Sequence, residues 1–220
     1  RVCLRLLRAA KMGCTLAAEA GSIRYREAKA RIALTGMDRE SWHMAISTCY
    51  AGKVLFVNLS DGSIREETPD EKIYRDFIGG NGIGIRFLYE RMRAHVDGLG
   101  PENILGFVVG SLTGTAAPGS GRHMVVTKSP LTGTWAESNS GGTFGPELKS
   151  AGFDAVFFHG ISPKPVYLLV ADGKAELRDA SAIWGKDAYE TQDLLLQSLD
   201  DPKIKIACIG PAGEAQSLLA

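Results

Sequence analysis

The 220-residue chain carries 25 lysine and arginine side chains against 25 aspartates and glutamates, so its formal net charge is zero. This balance argues against a nucleic-acid-binding protein, because such proteins gain affinity from an excess of basic residues. The absence of an apolar run of about 18 residues argues against a membrane-spanning helix. Glycine is the outlier, since 26 residues are about 12% of the chain against an average near 7%.

Charge divides the sequence into two parts. The first 40 residues hold nine basic and four acidic side chains, a net charge of +5, which leaves −5 on the remaining 180 residues. We predict a basic N-terminal extension of uncertain order over residues 1–48, with a natural start at Met44, and a domain over residues 49–220. The chain begins with Arg1 and stops after a strand-like run, so we expect a fragment truncated at the C-terminal end of that domain.

The domain is predicted to open with a β-hairpin and a helix. Apolar residues flank Asp61 and Gly62 within residues 53–67, and the Asp-Gly pair supplies the positive φ angles of a tight turn. Thr68 and Pro69 precede two acidic residues, a capping box that predicts a helix with proline at its first position.

Helical and strand patterns continue from there. The first helix reaches Ile78, and glycines in residues 79–84 interrupt it. A second helix is predicted from the spacing of Ile85, Leu88, Tyr89 and Met92. Further strands are predicted at residues 104–109, 123–128, 155–159, 166–170, 175–178 and 204–209. Further helices are predicted at residues 143–151 and 187–199, the latter with Leu194, Leu195 and Leu199 on one face. Eight strands, two hairpins and few helices predict a β-rich α+β domain.

Two glycine-rich loops are the best candidates for a binding site. They comprise residues 110–122, between two strands, and residues 138–142, directly before a helix. Glycine leaves main-chain N–H groups accessible, and a helix N-terminus adds partial positive charge. Arg122 ends the first loop with a forked donor group. These features predict a site for an anion such as phosphate, and the alternative is that both loops are plain turns at a sheet edge.

Other motifs are weaker. Residues 79–84 lack the spacing of a dinucleotide fingerprint, and a helix break or close helix packing is the favoured interpretation. There is no G-x-S-x-G nucleophile elbow. The isolated histidines show no metal-ligand spacing: His43, His95, His123 and His159. The cysteines form no C-x-x-C pair, which favours a reduced intracellular protein: Cys3, Cys14, Cys49 and Cys208. The residues by themselves indicate a binding surface without a visible catalyst.

Seven blocks follow one another in an order and spacing that resembles the N-terminal domain of the aldehyde ferredoxin oxidoreductases. The blocks are FIGGNGI (77–83), PEN (101–103), GSGRHMVVTKSPLTG (119–133), NSGGTFG (139–145), ELKSAGFDA (147–155), IWGK (183–186) and IGPAGE (209–214). The resemblance covers residues 50–217 and leaves residues 1–48 without a counterpart.

The resemblance implies a β-rich α+β domain that carries a bis-pterin tungsten cofactor, with molybdenum as the alternative metal. It implies that Arg122 contacts the pterin phosphates. It also implies that a main-chain carbonyl of Asn139 binds a Mg²⁺ ion between the two phosphates, and that N–H groups of Gly141 and Gly142 contact the cofactor. No catalytic residue is implied within this sequence.

The implied reaction is oxidation of an aldehyde and water to a carboxylic acid, with two electrons passing through a [4Fe-4S] cluster to ferredoxin. The cluster cysteines of such enzymes lie in later domains, and their C-x-x-C-x-x-x-C motif is missing from this sequence. We therefore expect half of a cofactor cradle that is inactive alone. A cytoplasmic location and a homodimer are further expectations, without a nucleic-acid or membrane partner.

Two other functions remain open at this point. One is a stand-alone module that binds a nucleotide or flavin phosphate without a redox metal. The other is a relic that folds and binds nothing. The identity of the aldehyde also stays open, because the residues expected to line its channel belong to later domains.

Overall fold

The computed structural model describes the main chain of residues 2–6 and all of residues 49–218. The strands in this part are β1 (Val2–Leu6), β2 (Val54–Asn58), β3 (Ile64–Glu67), β4 (Leu105–Val109), β5 (His123–Lys128), β6 (Trp135–Ser140), β7 (Ala155–His159), β8 (Val166–Ala171), β9 (Lys174–Asp179) and β10 (Lys205–Ala207). The helices are α1 (Glu71–Phe77), α2 (Asn81–Arg91), α3 (Phe144–Ser150), α4 (Ala188–Leu199) and α5 (Pro211–Glu214), with a 3₁₀ turn at Ser181–Ile183.

The strands form two mixed sheets. The larger sheet has the order β3-β2-β7-β4-β5-β6, and β2 and β7 are its parallel pair. The smaller sheet has the order β10-β1-β8-β9, in which β1 runs parallel to β10. Mixed sheets with a few flanking helices confirm the predicted α+β class. Of the extension predicted over residues 1–48, the described part is β1, and the rest lies outside the described residues.

Apolar side chains separate the elements into layers. One face of the larger sheet packs against α1 and α2 through Ile83, Phe87 and Phe157, which are almost completely buried. The other face packs against α3 and the smaller sheet. Leu148 of α3 and Leu168 of the smaller sheet are fully buried in this shared core. α4 covers the outer face of the smaller sheet. The larger sheet is therefore sealed on both faces, and its strand ends and loops are left to form sites.

The hairpin is confirmed, but its turn is longer than predicted. Residues 59–63 connect β2 to β3, and Gly62 has a φ of 74° while Asp61 is not in the positive-φ region. The predicted cap was also wrong. α1 begins at Glu71, and the Asp70 side chain accepts a hydrogen bond from the Lys72 N–H. Because Asp70 satisfies this free donor itself, the helix starts two residues after Pro69.

The predicted apolar faces of two helices were partly wrong. Ile85 and Tyr89 of α2 are exposed, and the buried face of that helix instead carries Ile83, Phe87 and Leu88. In α4, Leu195 is buried but Leu194 is partly exposed. The predicted and observed faces share Leu88 and Leu195 but differ at neighbouring positions, because spacing alone does not show which side of a helix the sheet contacts.

The second predicted glycine-rich loop is shorter than expected. Its first three residues, Ser138 to Ser140, belong to β6, which was not predicted and pairs with β5 along its whole length. Exposed polar side chains gave β6 no apolar alternation, because it is the edge strand of the sheet. The loop before α3 is therefore residues 141–143. The short helix α5 was also not predicted.

Candidate functional site

The glycine-rich segment of residues 79–84 and the glycine-rich loop of residues 110–122, which were considered separately in the sequence, lie on two sides of one cleft. Its volume is about 370 Å³, and it lies between the junction of α1 with α2 and the loop of residues 110–122. Its lining consists of residues 78–82 and 110–113 together with Gly119, Ser120, Arg122 and Met124. Residues 79–84 break the helix as predicted, and the structure also places the first four of them in the cleft wall.

The α1–α2 junction is a tight wall with an unusual backbone. Ile78 has a φ of 62°, which is strained for a β-branched residue, and its carbonyl accepts a hydrogen bond of 2.6 Å from the Tyr50 hydroxyl. Gly79 has no room for a side chain, because an added Cβ would lie 3.0 Å from the Gly110 Cα. The Gly80 N–H donates to the Val109 carbonyl at 3.0 Å. The junction is thus fixed directly to the end of β4.

The N-terminus of α2 opens towards this cleft. Asn81 is its first residue, and the preceding Gly80 makes no side-chain capping bond. The Oδ1 atom of Asn81 is buried and has no hydrogen-bond partner among the described residues. A helix N-terminus favours negative charge, and a buried amide oxygen without a partner is costly. Both features were missed in the sequence, where the only signal was asparagine directly after Gly-Gly.

Arg122 and Asn139 contact each other. The Arg122 Nη1 atom donates a hydrogen bond of 2.6 Å to the Asn139 side-chain oxygen, and both side chains are exposed. Gly141 and Gly142 follow directly after β6, and an added Cβ on Gly121 would lie 2.3 Å from the Gly142 carbonyl oxygen. The four predicted cofactor-binding residues therefore cluster at one end of the β5–β6 pair. Arg122 is one of the residues that line the cleft, whereas Asn139, Gly141 and Gly142 are not part of its lining.

The glycines in these loops have different physical roles. Gly114 and Gly119 have φ angles of 79° and 77°, which other residues rarely adopt. Gly121 is required by close main-chain packing against the second loop. Gly141 has a permitted φ and no atom within 4 Å of an added Cβ, so this position is open. Of the two glycines assigned to the cofactor, Gly141 has free space and Gly142 has a φ of 86°.

The half-buried Lys149 and the buried Thr113 support the second wall of the cleft. The Lys149 ammonium donates hydrogen bonds to the carbonyls of Gly110 and Ser111, at 2.8 Å and 2.9 Å. The Thr113 hydroxyl donates to the Arg122 carbonyl and accepts from the Gly110 N–H, both at 2.9 Å. Thr113 thereby joins the two ends of the loop of residues 110–122. Neither side chain was singled out in the sequence.

A buried carboxylate anchors this support. Asp154 is 1% exposed and accepts hydrogen bonds from the N–H groups of Ala51 and Gly52 and from the Tyr74 hydroxyl. Burial lowers the pKa of Lys149, and the negative charge of Asp154 opposes that shift. Burial also raises the pKa of Tyr74, so its hydroxyl keeps its proton for Asp154.

His123 lies on the opposite face of β5 from the cleft. It is 1% exposed between Phe107 and Phe144, and its ring centroid is 4.9 Å from that of Phe144. Neither ring nitrogen has a hydrogen-bond partner among the described residues. Burial lowers the pKa of His123 to about 4, so the ring is neutral at neutral pH. It belongs to the core, in agreement with its predicted place in a strand.

A second cavity, of about 400 Å³, lies between the β2–β3 hairpin and the end of α2. Three arginines line it, and each has a carboxylate partner. Arg91 and Arg65 both contact Glu67, and Arg93 lies 3.5 Å from Glu102. Hydrogen bonds from Arg91 lower the pKa of Glu67.

The described residues contain no cluster of three or more His, Cys, Asp or Glu side chains able to hold a metal ion. Cys49 and Cys208 are half-buried. In the same part of the chain, no helix combines the length and apolar character needed to cross a membrane.

The chain is similar to known proteins over most of its length. The family model described as "Aldehyde ferredoxin oxidoreductase, N-terminal domain" matches residues 54–220. The chain therefore belongs to the family of aldehyde ferredoxin oxidoreductase N-terminal domains, as its sequence blocks indicated.

Individual relatives agree. Over 165 residues the chain is 52% identical to a tungsten-containing aldehyde ferredoxin oxidoreductase of Pyrococcus horikoshii, which covers 75% of this chain and 27% of that protein. It is 34% identical over 155 residues to the WOR-like subunit of an aliphatic sulfonate oxidoreductase of Pyrococcus furiosus, covering 69% and 24% of the two chains. The solved active-site complex BamBC of benzoyl coenzyme A reductase with 1,5-dienoyl-CoA matches with a TM-score of 0.69 and 41% identity, over 70% of this chain and 24% of that one. The chain thus spans about a quarter of the length of these relatives.

Proposed function

We propose that this chain is the cofactor-binding N-terminal part of a tungsten-containing oxidoreductase that converts aldehydes to carboxylic acids with ferredoxin as electron acceptor. The observation that carries the proposal is the cleft, where Arg122 lies opposite the N-terminus of α2 and contacts Asn139. The names of the relatives at 47–52% identity support tungsten, aldehyde and ferredoxin. The proposal includes a homodimer and a cytoplasmic location.

The residues of the cleft fit the phosphate end of a pterin cofactor. Arg122 keeps further guanidinium donors besides the one bonded to Asn139, and such donors suit phosphate oxygens. The position of Gly141 has free space for a ligand. The unpartnered Asn81 oxygen accepts a hydrogen bond from a ligand donor or binds a cation. Asn139 lies on the exposed edge strand β6, where we place its carbonyl as a ligand of Mg²⁺, an ion that prefers oxygen.

The tungsten pterin, when bound, supplies the two-electron redox chemistry of aldehyde oxidation. This chain binds and orients the phosphate end of that group through Arg122 and the glycine-rich main chain. The Arg122–Asn139 hydrogen bond holds the guanidinium in place before the ligand arrives, which lowers the entropy lost on binding. The [4Fe-4S] cluster and the residues that contact the aldehyde belong, in this proposal, to parts beyond this chain.

The test is a titration of the chain with inorganic phosphate. We expect Arg122→Ala to weaken phosphate affinity at least tenfold, because the forked donor is lost. The matched control is Arg65→Ala, which removes an exposed arginine from the second cavity and should leave the affinity unchanged. Equal affinities for the two variants would contradict the proposed site.

The redox part is tested separately, by expressing the gene with its downstream region and measuring tungsten and absorbance. Tungsten in stoichiometric amount, together with reduction of ferredoxin by an aldehyde, is the expected result. A flavin spectrum without tungsten would favour the stand-alone phosphate-binding module instead. If the wild-type chain showed no saturable phosphate binding and the longer protein held neither tungsten nor a chromophore, the relic interpretation would gain support.

A further inference from the structure

We propose that the main-chain N–H groups of Ser111 and Leu112 bind the anion in the cleft, and that Lys149 is the positioning residue that directs them there. The inference rests on the proposed function, because it assigns further donors to the same phosphate site. Ser111 and Leu112 lie in the loop of residues 110–122 that was predicted to bind an anion, but neither was named individually as a site residue. Lys149 touches no part of the cleft surface itself.

The Lys149 side chain contacts two neighbouring peptide groups of the cleft wall. Its ammonium donates to two successive carbonyls, those of Gly110 and Ser111. In a trans peptide the C=O of one residue and the N–H of the next point in opposite directions, and the described residues contain no cis peptide bond. A carbonyl of Gly110 that faces Lys149 therefore turns the Ser111 N–H away from Lys149, and the Ser111 carbonyl does the same for the Leu112 N–H.

The Ser111 and Leu112 N–H groups lie on the side of the loop that faces away from Lys149. Residues 110–112 line the cleft, so the side away from Lys149 is the cleft side. Within the described residues, neither the Ser111 N–H nor the Leu112 N–H makes a hydrogen bond to the protein. Successive main-chain N–H groups that point the same way form a concavity that binds anions. Arg122 lines the same cleft and supplies a positive charge for the anion.

The Tyr50 ring and the Asp154 carboxylate stabilise the position and charge of Lys149. Its ammonium lies 5.8 Å from the centroid of the Tyr50 ring, and Tyr50 in turn fixes the Ile78 carbonyl in the opposite wall. The buried Asp154 carboxylate stabilises the lysine charge through space. Lys149 is thus ordered without a ligand, and the two N–H groups lose little freedom when an anion binds.

A second lysine provides a matched control. Lys128 is half-buried, and its ammonium donates a hydrogen bond of 2.6 Å to the Val96 carbonyl. It is not part of the cleft lining. Lys128→Met therefore removes a half-buried lysine–carbonyl hydrogen bond of the same chemistry without touching residues 110–112.

The experiment is a titration of the ¹⁵N-labelled chain with inorganic phosphate, followed by NMR. In the wild type we expect saturable shifts of the Ser111 and Leu112 amide signals together with the Arg122 Nε–H signal. Lys149→Met should weaken phosphate binding about tenfold and reduce the two amide shifts. Lys128→Met should leave both unchanged, and Lys149→Arg, which keeps the charge and donors, should retain most of the affinity.

The outcomes separate the two proposals. A saturable shift at Arg122 without shifts at Ser111 and Leu112 overturns this inference and leaves the phosphate site intact. Phosphate binding by Lys149→Met that equals that of Lys128→Met overturns the positioning role. A wild-type titration with no saturable shift at any residue contradicts the proposed function itself. The wild-type titration needs no variant, so the donors are tested even if Lys149→Met fails to fold.

Discussion

Two of the cavities in the described part of the chain are similar in size but differ in how their charged side chains are paired. The cavity beside the β2–β3 hairpin has three arginines, but Glu67 and Glu102 compensate them. The glycine-lined cleft has one arginine, which contacts a neutral amide, and its Ser111 and Leu112 N–H groups have no hydrogen-bond partner in the part of the chain that the structure describes. Arginines paired with carboxylates have most of their donors and charge occupied. Uncompensated donors, rather than the number of arginines, therefore distinguish the proposed anion site.

The largest effect is expected from the glycines that build the cleft region. Gly121→Ala places a Cβ 2.3 Å from the Gly142 carbonyl oxygen, so the main chain must shift. We expect the free energy of unfolding to fall by about 3 kcal/mol, as for other overpacked sites. Gly141→Ala meets no atom within 4 Å and should change it by less than about 0.5 kcal/mol. Urea unfolding measures both, and similar losses would show that the two loops do not pack as described.

The next effect comes from the sealed side of β5. Because burial lowers the pKa of His123 to about 4, the folded chain binds fewer protons than the unfolded chain between about pH 6.5 and 4. The free energy of unfolding is therefore highest above about pH 6.5 and decreases as the pH falls through this window. We expect a loss of about 2 kcal/mol between pH 7.5 and pH 5.

His123→Phe should remove that pH dependence and leave the chain at least as stable at pH 7.5, because it replaces two nitrogens that have no hydrogen-bond partner among the described residues with apolar atoms. His159→Gln is the control. His159 is only half-buried, and although burial lowers its pKa, the nearby Asp61 carboxylate opposes that shift. Unfolding curves at pH 7.5 and pH 5 decide the matter. An unchanged slope in His123→Phe would mean that this ring is not neutral in the core.

A smaller effect is expected in the arginine-lined cavity. Glu67→Gln leaves the half-buried Arg91 without its carboxylate, and the Arg91 guanidinium lies 3.9 Å from the Phe56 ring centroid. We expect a loss of about 1 kcal/mol at neutral pH after allowing for solvent screening. Since Arg91 lowers the pKa of Glu67, this stability is lost as the pH falls below the ordinary pKa of glutamate. A wild type and variant that differ equally at pH 7 and pH 3 would contradict the ion pair.

The smallest effect is expected at the rim of the same cavity. Arg93 is 85% exposed and lies 3.5 Å from Glu102, a geometry in which ion pairs contribute little. Arg93→Ala should change stability by less than about 0.5 kcal/mol and leave phosphate affinity unchanged. If this variant weakened phosphate binding instead, the arginine-lined cavity would be an anion site and the comparison would be reversed.

Local patterns were sufficient for most elements. The hairpin before α1, strands such as β5 and β7, and the break at residues 79–84 are each specified by neighbouring residues. The edge strand β6 was missed because its exposed polar residues carry no apolar alternation. The exposed positions of Ile85 and Tyr89 were missed because only the sheet decides which face of α2 is covered. Pairing and coverage are properties of distant residues, so a local window does not contain them.

The sequence by itself determined the α+β class and the family, and the resemblance to that family implied a common site for Arg122, Asn139, Gly141 and Gly142. Only the tertiary structure showed that residues 79–82 and 110–113 form opposite walls of one cleft. Only it revealed that Lys149, from α3, holds the carbonyls of the second wall. Motifs report what a residue can do, whereas the direction of a main-chain N–H depends on which distant side chain holds the carbonyl of the same peptide.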